Sequence, residues 1–180
     1  RAAETLHQWV NTGALVRDTN PAYYLVRHGF PFAGTTKVRL GLIGAVKLEE
    51  YEKGVVLPHE NTQRAAKEDR LALMETCQAN ISQIMLLYSD KERKLASLFQ
   101  QTANEEPIFS FSDAEDNTFT LWRITDTPKM ELIGDIMSSK TLYIADGHHR
   151  YETALTYRNR RSPHRGKEED EAHNFVMTYL

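Results

Sequence analysis

The 180-residue chain has a single cysteine, Cys77, so no internal disulfide framework can form, and a lone thiol fits a reducing compartment. No apolar run approaches the roughly 20 residues that cross a bilayer, and the first residues carry no signal-peptide pattern. Positive charge is not in excess. The 22 Lys and Arg against 25 Asp and Glu give a formal net charge of -3, which disfavours a duplex-wrapping nucleic-acid surface. The Gly-Lys-Ser/Thr end of a Walker loop and the His-Glu-x-x-His zinc signature are missing, as is any internal repeat. What remains, 41% hydrophobic and 26% charged residues, is ordinary globular material. One domain or a fragment of a longer protein is expected, cytoplasmic, with neither membrane nor nucleic acid as partner.

Hydrophobic period and turn residues predict the elements. Ala2 to Asn11 places Leu6, Trp9 and Val10 on one helical face, with Asn11-Thr12-Gly13 as its stop and Trp9 expected in the core. Pro21 to Phe30 and Val38 to Leu48 read as an antiparallel hairpin across residues 32–36, with Gly41 and Gly44 marking a bulge or a close backbone contact. Glu49 to Gly54 turns into Val55-Val56-Leu57. Gln63 to Asn80 reads as a helix with Leu71, Met74 and Cys77 inward, which makes Cys77 a small buried hydrophobe. A strand at Ile81 to Tyr88 and a helix from Asp90 to about Gln101 follow. Strands at Pro107 to Ser112 and Thr118 to Thr125 flank the turn Asp113 to Asn117, with the facing of Trp122 left open. A short helix, Met130 to Ser138, starts after Pro128. A flexible surface loop or lid is expected over about residues 158–173, and Phe175 to Leu180 is strand-like. The fold expected is mixed α/β (α+β): antiparallel hairpins plus one strand-turn-helix unit, rather than a doubly wound parallel sheet.

That unit is the most informative stretch. Thr141 to Ala145 are strand formers, Glu152 to Arg161 are in helical register, and between them stand Asp146, Gly147, His148, His149 and Arg150. Gly147 permits a tight turn, the following helix offers free N–H groups to an anion, and Arg150 adds a planar fork suited to phosphate. Asp146 beside a phosphate needs a role such as binding Mg²⁺ or accepting from a substrate hydroxyl; a plain helix cap is the alternative. Adjacent imidazoles point apart, so His148 and His149 are read as phosphate contacts rather than as one zinc chelate.

Pro58-His59-Glu60-Asn61-Thr62 is the second cluster. Pro58 biases Leu57 towards extended geometry and presents His59 and Glu60 on a loop before the next helix, with Asn61 or Thr62 suited to capping it. Arg64, Lys67 and Arg70 recur along that helix as a basic stripe, either solvated or meeting phosphates through Lys67 and Arg70.

The segment Tyr143 to Leu155, YIADGHHRYETAL, is similar to the hallmark of the DUF1015 family, bacterial and archaeal proteins of uncharacterised function. Three more blocks resemble the same family in the expected order: LHQWVNTGALVRDTNPAYYLV (Leu6 to Val26), VVLPHENT (Val55 to Thr62) and KEDRLALMETCQANISQIMLLYSD (Lys67 to Asp90). The resemblance implies a region of a longer protein. More distantly, Asp146 to Arg150 resembles the D-G-H-x-R signature of free serine kinases in the ParB/sulfiredoxin-like superfamily. That likeness implies a turn that handles nucleotide phosphates and an acid that assists substrate activation. His149 replaces a small hydroxyl-bearing residue of those kinases, and Cys77 lies too far from the motif for sulfiredoxin chemistry.

The function expected is a nucleotide- or phosphate-binding enzyme, an amino-acid kinase or a phosphohydrolase. Asp146 and Glu60 are its candidate catalytic groups, and Gly147, His148, His149, Arg150, His59, Lys67 and Arg70 its phosphate contacts. ATP or ADP with Mg²⁺ on Asp146 are the candidate cofactors, and a homodimer is the candidate assembly. A non-catalytic ligand sensor and a metal-dependent hydrolase on His59, His148, His149 and the two carboxylates are the alternatives. One pocket requires Glu60 or His59 to lie within about 10 Å of Asp146 or His148.

Overall fold

A computed structural model describes residues 1–60, 64–161 and 171–180. In chain order the elements are α1 (Ala2–Asn11), β1 (Tyr23–Phe32), β2 (Thr35–Lys47), β3 (Val56–Leu57), α2 (Arg64–Cys77), β4 (Ile84–Leu87), α3 (Lys94–Thr102), β5 (Phe109–Ser112), β6 (Thr118–Ile124), α4 (Thr127–Ser138), β7 (Leu142–Asp146), α5 (His148–Arg161) and β8 (Phe175–Tyr179). Single 3-10 turns cover Tyr51–Lys53 and Ala172–Asn174. The strands hydrogen-bond in the order β3-β7-β4-β8-β2-β1-β6-β5 as a mixed sheet, so the fold is mixed α/β. The chain divides into two compact units.

One unit comprises Asn20–Gly44, Tyr88–Thr141 and Tyr179–Leu180. Its β1 and β2 pair antiparallel, with Phe32 opposite Thr35. Ala33 (φ 47°) and Gly34 (φ 76°) both take the left-handed turn conformation that matches strand twist in a two-residue hairpin. β6 pairs antiparallel with β1, and β5 with β6. Leu25 and Leu42 from the hairpin pack with Trp122, Ile124, Leu95, Phe99 and Ile133 in one core. The facing of Trp122 is thereby decided: only 4% exposed, it donates its indole N–H to the Glu105 carbonyl at 2.9 Å. Phe119, on the opposite face of β6, stacks on Phe111 and His28. α3 begins four residues later than expected, because the Asp90 carboxylate stands ahead of the helix and accepts from the Lys94 and Ala96 amides. Asp126 caps α4 by accepting from the Lys129 amide at 3.0 Å.

The other unit comprises Arg1–Thr19, Ala45–Leu87 and Leu142–Thr178. Here β3 runs parallel to β7, and β4 antiparallel to β7 with a register shift between Met85 and Leu86. α2 and α5 pack together, burying Leu71, Cys77, Tyr151, Ala154 and Leu155. α2 stops at Cys77 because Gln78 turns left-handed (φ 50°). The Tyr151 hydroxyl donates to the Glu49 carbonyl at 2.8 Å and accepts from the Glu49 amide at 3.0 Å, tying α5 to the chain ahead of β3. Two expectations are corrected. Trp9 is 50% exposed and α1 buries no residue, since an apolar stripe records a face and not its partner. Residues 158–161 belong to α5 rather than to a loop, and 162–170 lie outside the described residues.

Gly41 is one place where only glycine fits. A Cβ there would collide with the Tyr179 ring, the close contact its position in β2 suggests. Gly41→Val should therefore cost about 1 to 3 kcal/mol in urea denaturation, the scale of overpacking. Adding Tyr179→Ala should recover most of that difference; equal losses in both backgrounds would contradict the contact.

Candidate functional site

Parallel pairing explains how two distant segments meet. Val56 stands opposite Leu142 and Leu57 opposite Tyr143, so β3 and β7 point the same way and release their following residues at the same sheet edge. After β3 come Pro58, His59 and Glu60; after β7 comes Gly147, then the first turn of α5. The His59 ring nitrogen Nδ1 lies 2.7 Å from the Ile144 carbonyl, so it carries the proton and donates. The His59 backbone N–H donates to His148 Nε2 at 3.3 Å, and the two imidazoles meet edge to face with centroids 4.5 Å apart. The expected proximity of the two clusters is therefore present, and closely so.

His148 is the centre of this contact. It is 1% exposed, and Glu60 Oε1 lies 3.0 Å from its Nδ1. That is ion-pair distance without hydrogen-bond geometry, for among the described residues the buried Nδ1 has no hydrogen-bond partner. Burial pushes the His148 pKa below the usual histidine value, the nearby Glu60 carboxylate opposes this, and His59 adds to it. The His59 amide donating to Nε2 makes that nitrogen the acceptor, which places the proton of the neutral ring on Nδ1.

The Asp146 turn is built around Arg150. Gly147 has φ +98°, and a Cβ on it would lie 3.0 Å from Arg150 Nε and Nη2, so the guanidinium rests against bare backbone. Arg150 Nη1 donates to Ser82 Oγ at 3.1 Å and to the Gln83 carbonyl, while Nη2 donates to Asp146 Oδ2. Of its five N–H donors, Nε–H and one hydrogen on Nη2 are left over by these bonds among the described residues. α5 starts at His148, four residues before the expected Glu152, as soon as Gly147 has turned the chain.

The remaining expected site residues are spread around this edge. Lys67 forms an ion pair with Glu152 at 2.8 Å, a partner that sequence reading passed over although both residues lie in resembling blocks. Arg70 lines a small cavity with Arg150, Ser82 and Thr153. Asn61 and Thr62, the expected caps, lie outside the described residues. Among the described residues, the ligand-type side chains that gather closely enough for one ion are His59, Glu60 and His148, with their donor atoms within 4.8 Å of one another. Neither Asp146 nor His149 belongs to that set. Ser82, Gln83 and Ile144 lie in resembling blocks, but their residue types gave no sign of a site role, since they act by a hydroxyl or a backbone carbonyl.

The turn geometry sets a stability expectation. Gly147→Ala puts a side chain at positive φ against Arg150 and should cost about 1 to 3 kcal/mol in urea denaturation. In an Arg150→Ala background the loss should shrink, as only the backbone part remains; an unchanged loss would mean that crowding by the guanidinium contributes nothing.

The family described as "Protein of unknown function (DUF1015)" matches residues 1–180. No curated protein matches the chain. No solved structure matches it either. With all 180 residues matched, the chain belongs to the DUF1015 family.

Proposed function

We propose that this chain carries the site of a phosphate-handling enzyme, one that binds a nucleotide or other phosphorylated small molecule and transfers or hydrolyses a phosphoryl group. The observation that carries this reading is the meeting of the two polar loops on His148, which touches both the His59 amide and the Glu60 carboxylate. Ligands of sheets with parallel strands bind beyond the strands' carboxyl ends, where this meeting occurs. The start of α5 supplies backbone N–H groups and the positive end of a helix dipole, and Arg150 retains donors for phosphate oxygens. Lys67, Arg70 and His149 are the further contacts assigned to the ligand, while the His59 ring N–H is taken by the Ile144 carbonyl.

The chemistry asks for little beyond positioning and charge. Asp146 gives Oδ2 to Arg150 and uses Oδ1 to accept the proton of the attacking hydroxyl or water. A new O–P bond forms as the bond to the leaving phosphate breaks, and the charge gathering on the leaving oxygen is met by Arg150 and the helix N–H groups. Glu60 is the second carboxylate, suited to a cation shared with the phosphates. The likeness of Asp146 to Arg150 to the free serine kinase signature favours an amino-acid hydroxyl as acceptor and ATP or ADP as donor.

Titration calorimetry with ATP, ADP and CTP, and ³¹P NMR with free amino acids as acceptors, test this. Arg150→Ala should weaken nucleotide binding by about 1.5 to 3 kcal/mol, the scale of a charge-assisted hydrogen bond. Asp146→Asn should lower turnover at least about a hundredfold, while stability falls by less than about 1 kcal/mol because its pair with Arg150 is solvent-facing. Binding without turnover would make the chain a ligand sensor, and absence of binding would remove the reading altogether.

A further inference from the structure

We infer that His59, Glu60 and His148 form a binding site for a divalent first-row transition metal of the zinc, manganese or iron(II) class. Two imidazoles and one carboxylate converge there, with their donor atoms within 4.8 Å of one another. His148 Nδ1 and Glu60 Oε1 are 3.0 Å apart. An ion bound at about 2.0 to 2.2 Å from each ligand holds its donors at about that spacing.

Two independent details point to a ligand. His148 is buried, yet among the described residues its Nδ1 has no hydrogen-bond partner, and it lies 3.0 Å from Glu60 Oε1. An unsatisfied buried nitrogen is costly in a native fold and calls for an occupant. His59 is prepared in the complementary way. Its Nδ1–H is held by the Ile144 carbonyl at 2.7 Å, which fixes the ring and leaves the lone pair on Nε2, the carbonyl-histidine arrangement that orients metal ligands. Imidazole outnumbering carboxylate favours a transition metal over Mg²⁺ or Ca²⁺. Three protein ligands leave coordination positions for water or a substrate oxygen.

Loading changes one existing contact. With Nδ1 on the metal, the ring proton of His148 moves to Nε2, where the His59 amide now donates at 3.3 Å. Both atoms then carry hydrogen, so that contact opens and the His59 amide changes environment. His149 and Asp146 take no part. The assignment deepens the phosphoryl-transfer reading by naming its cation, but metal binding is measured without any nucleotide, so either can fail while the other stands.

The test uses the full chain stripped with EDTA and dialysed against zinc or cobalt. Elemental analysis should return one zinc per chain, and cobalt should give visible d–d absorption. His59→Gln and Glu60→Gln, both exposed positions, should each weaken zinc binding by more than the roughly hundredfold that loss of a second-shell partner reaches. Asp146→Asn and His149→Gln should keep one zinc per chain. In ¹⁵N-labelled protein zinc should shift the His59 amide resonance. No retained metal in the unmodified chain, or a His59→Gln/Glu60→Gln double variant that holds zinc as tightly, would overturn the assignment.

Discussion

The parallel pairing of Val56 and Leu57 with Leu142 and Tyr143 is the constraint on which the candidate site depends. It aims two strands the same way, so residues 89 positions apart, His59 and His148, meet at one edge. An antiparallel partner would have released its loop at the opposite end. β7 also pairs with β4 on its other side, and Ile144 in its middle lends a carbonyl to His59. One strand therefore positions both motifs: the second by continuing into it, the first by flanking and hydrogen-bonding it.

Elements with a local signal were legible in the sequence. The β1–β2 hairpin, the buried Cys77 face of α2 and the Asp113 turn rest on periodicity or turn chemistry, and the structure contains each; the helix expected from Met130 is present too, but it starts at Thr127, ahead of Pro128, where the Asp126 carboxylate caps it. Trp9 was misread for the reason that limits all amphipathic patterns: the stripe was seen, but nothing in the pattern says whether a partner covers it. α5 starts ahead of the expected Glu152 because Gly147, at φ +98°, turns the chain at once, and His148 begins the helix as a packed residue.

The site was half legible. Asp146 to Arg150 and Pro58 to Glu60 stood out by residue type, and strand-end logic was enough to expect them together. What could not be read was the commitment of their side chains. Arg150, written as an open anion fork, is mostly engaged by Asp146, Ser82 and Gln83, and Lys67 by Glu152. The pairings with Ser82, Gln83 and Glu152 join residues far apart in the chain, and no spacing rule reports them; the i,i+4 pair of Asp146 with Arg150 is the exception. They also matter for binding, because an anion arriving at Arg150 meets a guanidinium already partly neutralised and gains less than at a bare one.

The brevity of β3 has a further consequence. A ladder of two residues, continued by the Leu142 amide on the Val55 carbonyl at 2.8 Å, has few bonds to break, and among the described residues it is joined by the His59 contacts and the approach of Glu60 to His148 in holding residues 58–60 near β7. A ligand that touches both loops must then include in its apparent affinity the free energy of keeping that ladder closed. By reciprocity its binding protects the ladder. The slowing of amide hydrogen exchange at Leu142 and His59 becomes a report of site occupancy that needs no knowledge of the chemistry performed.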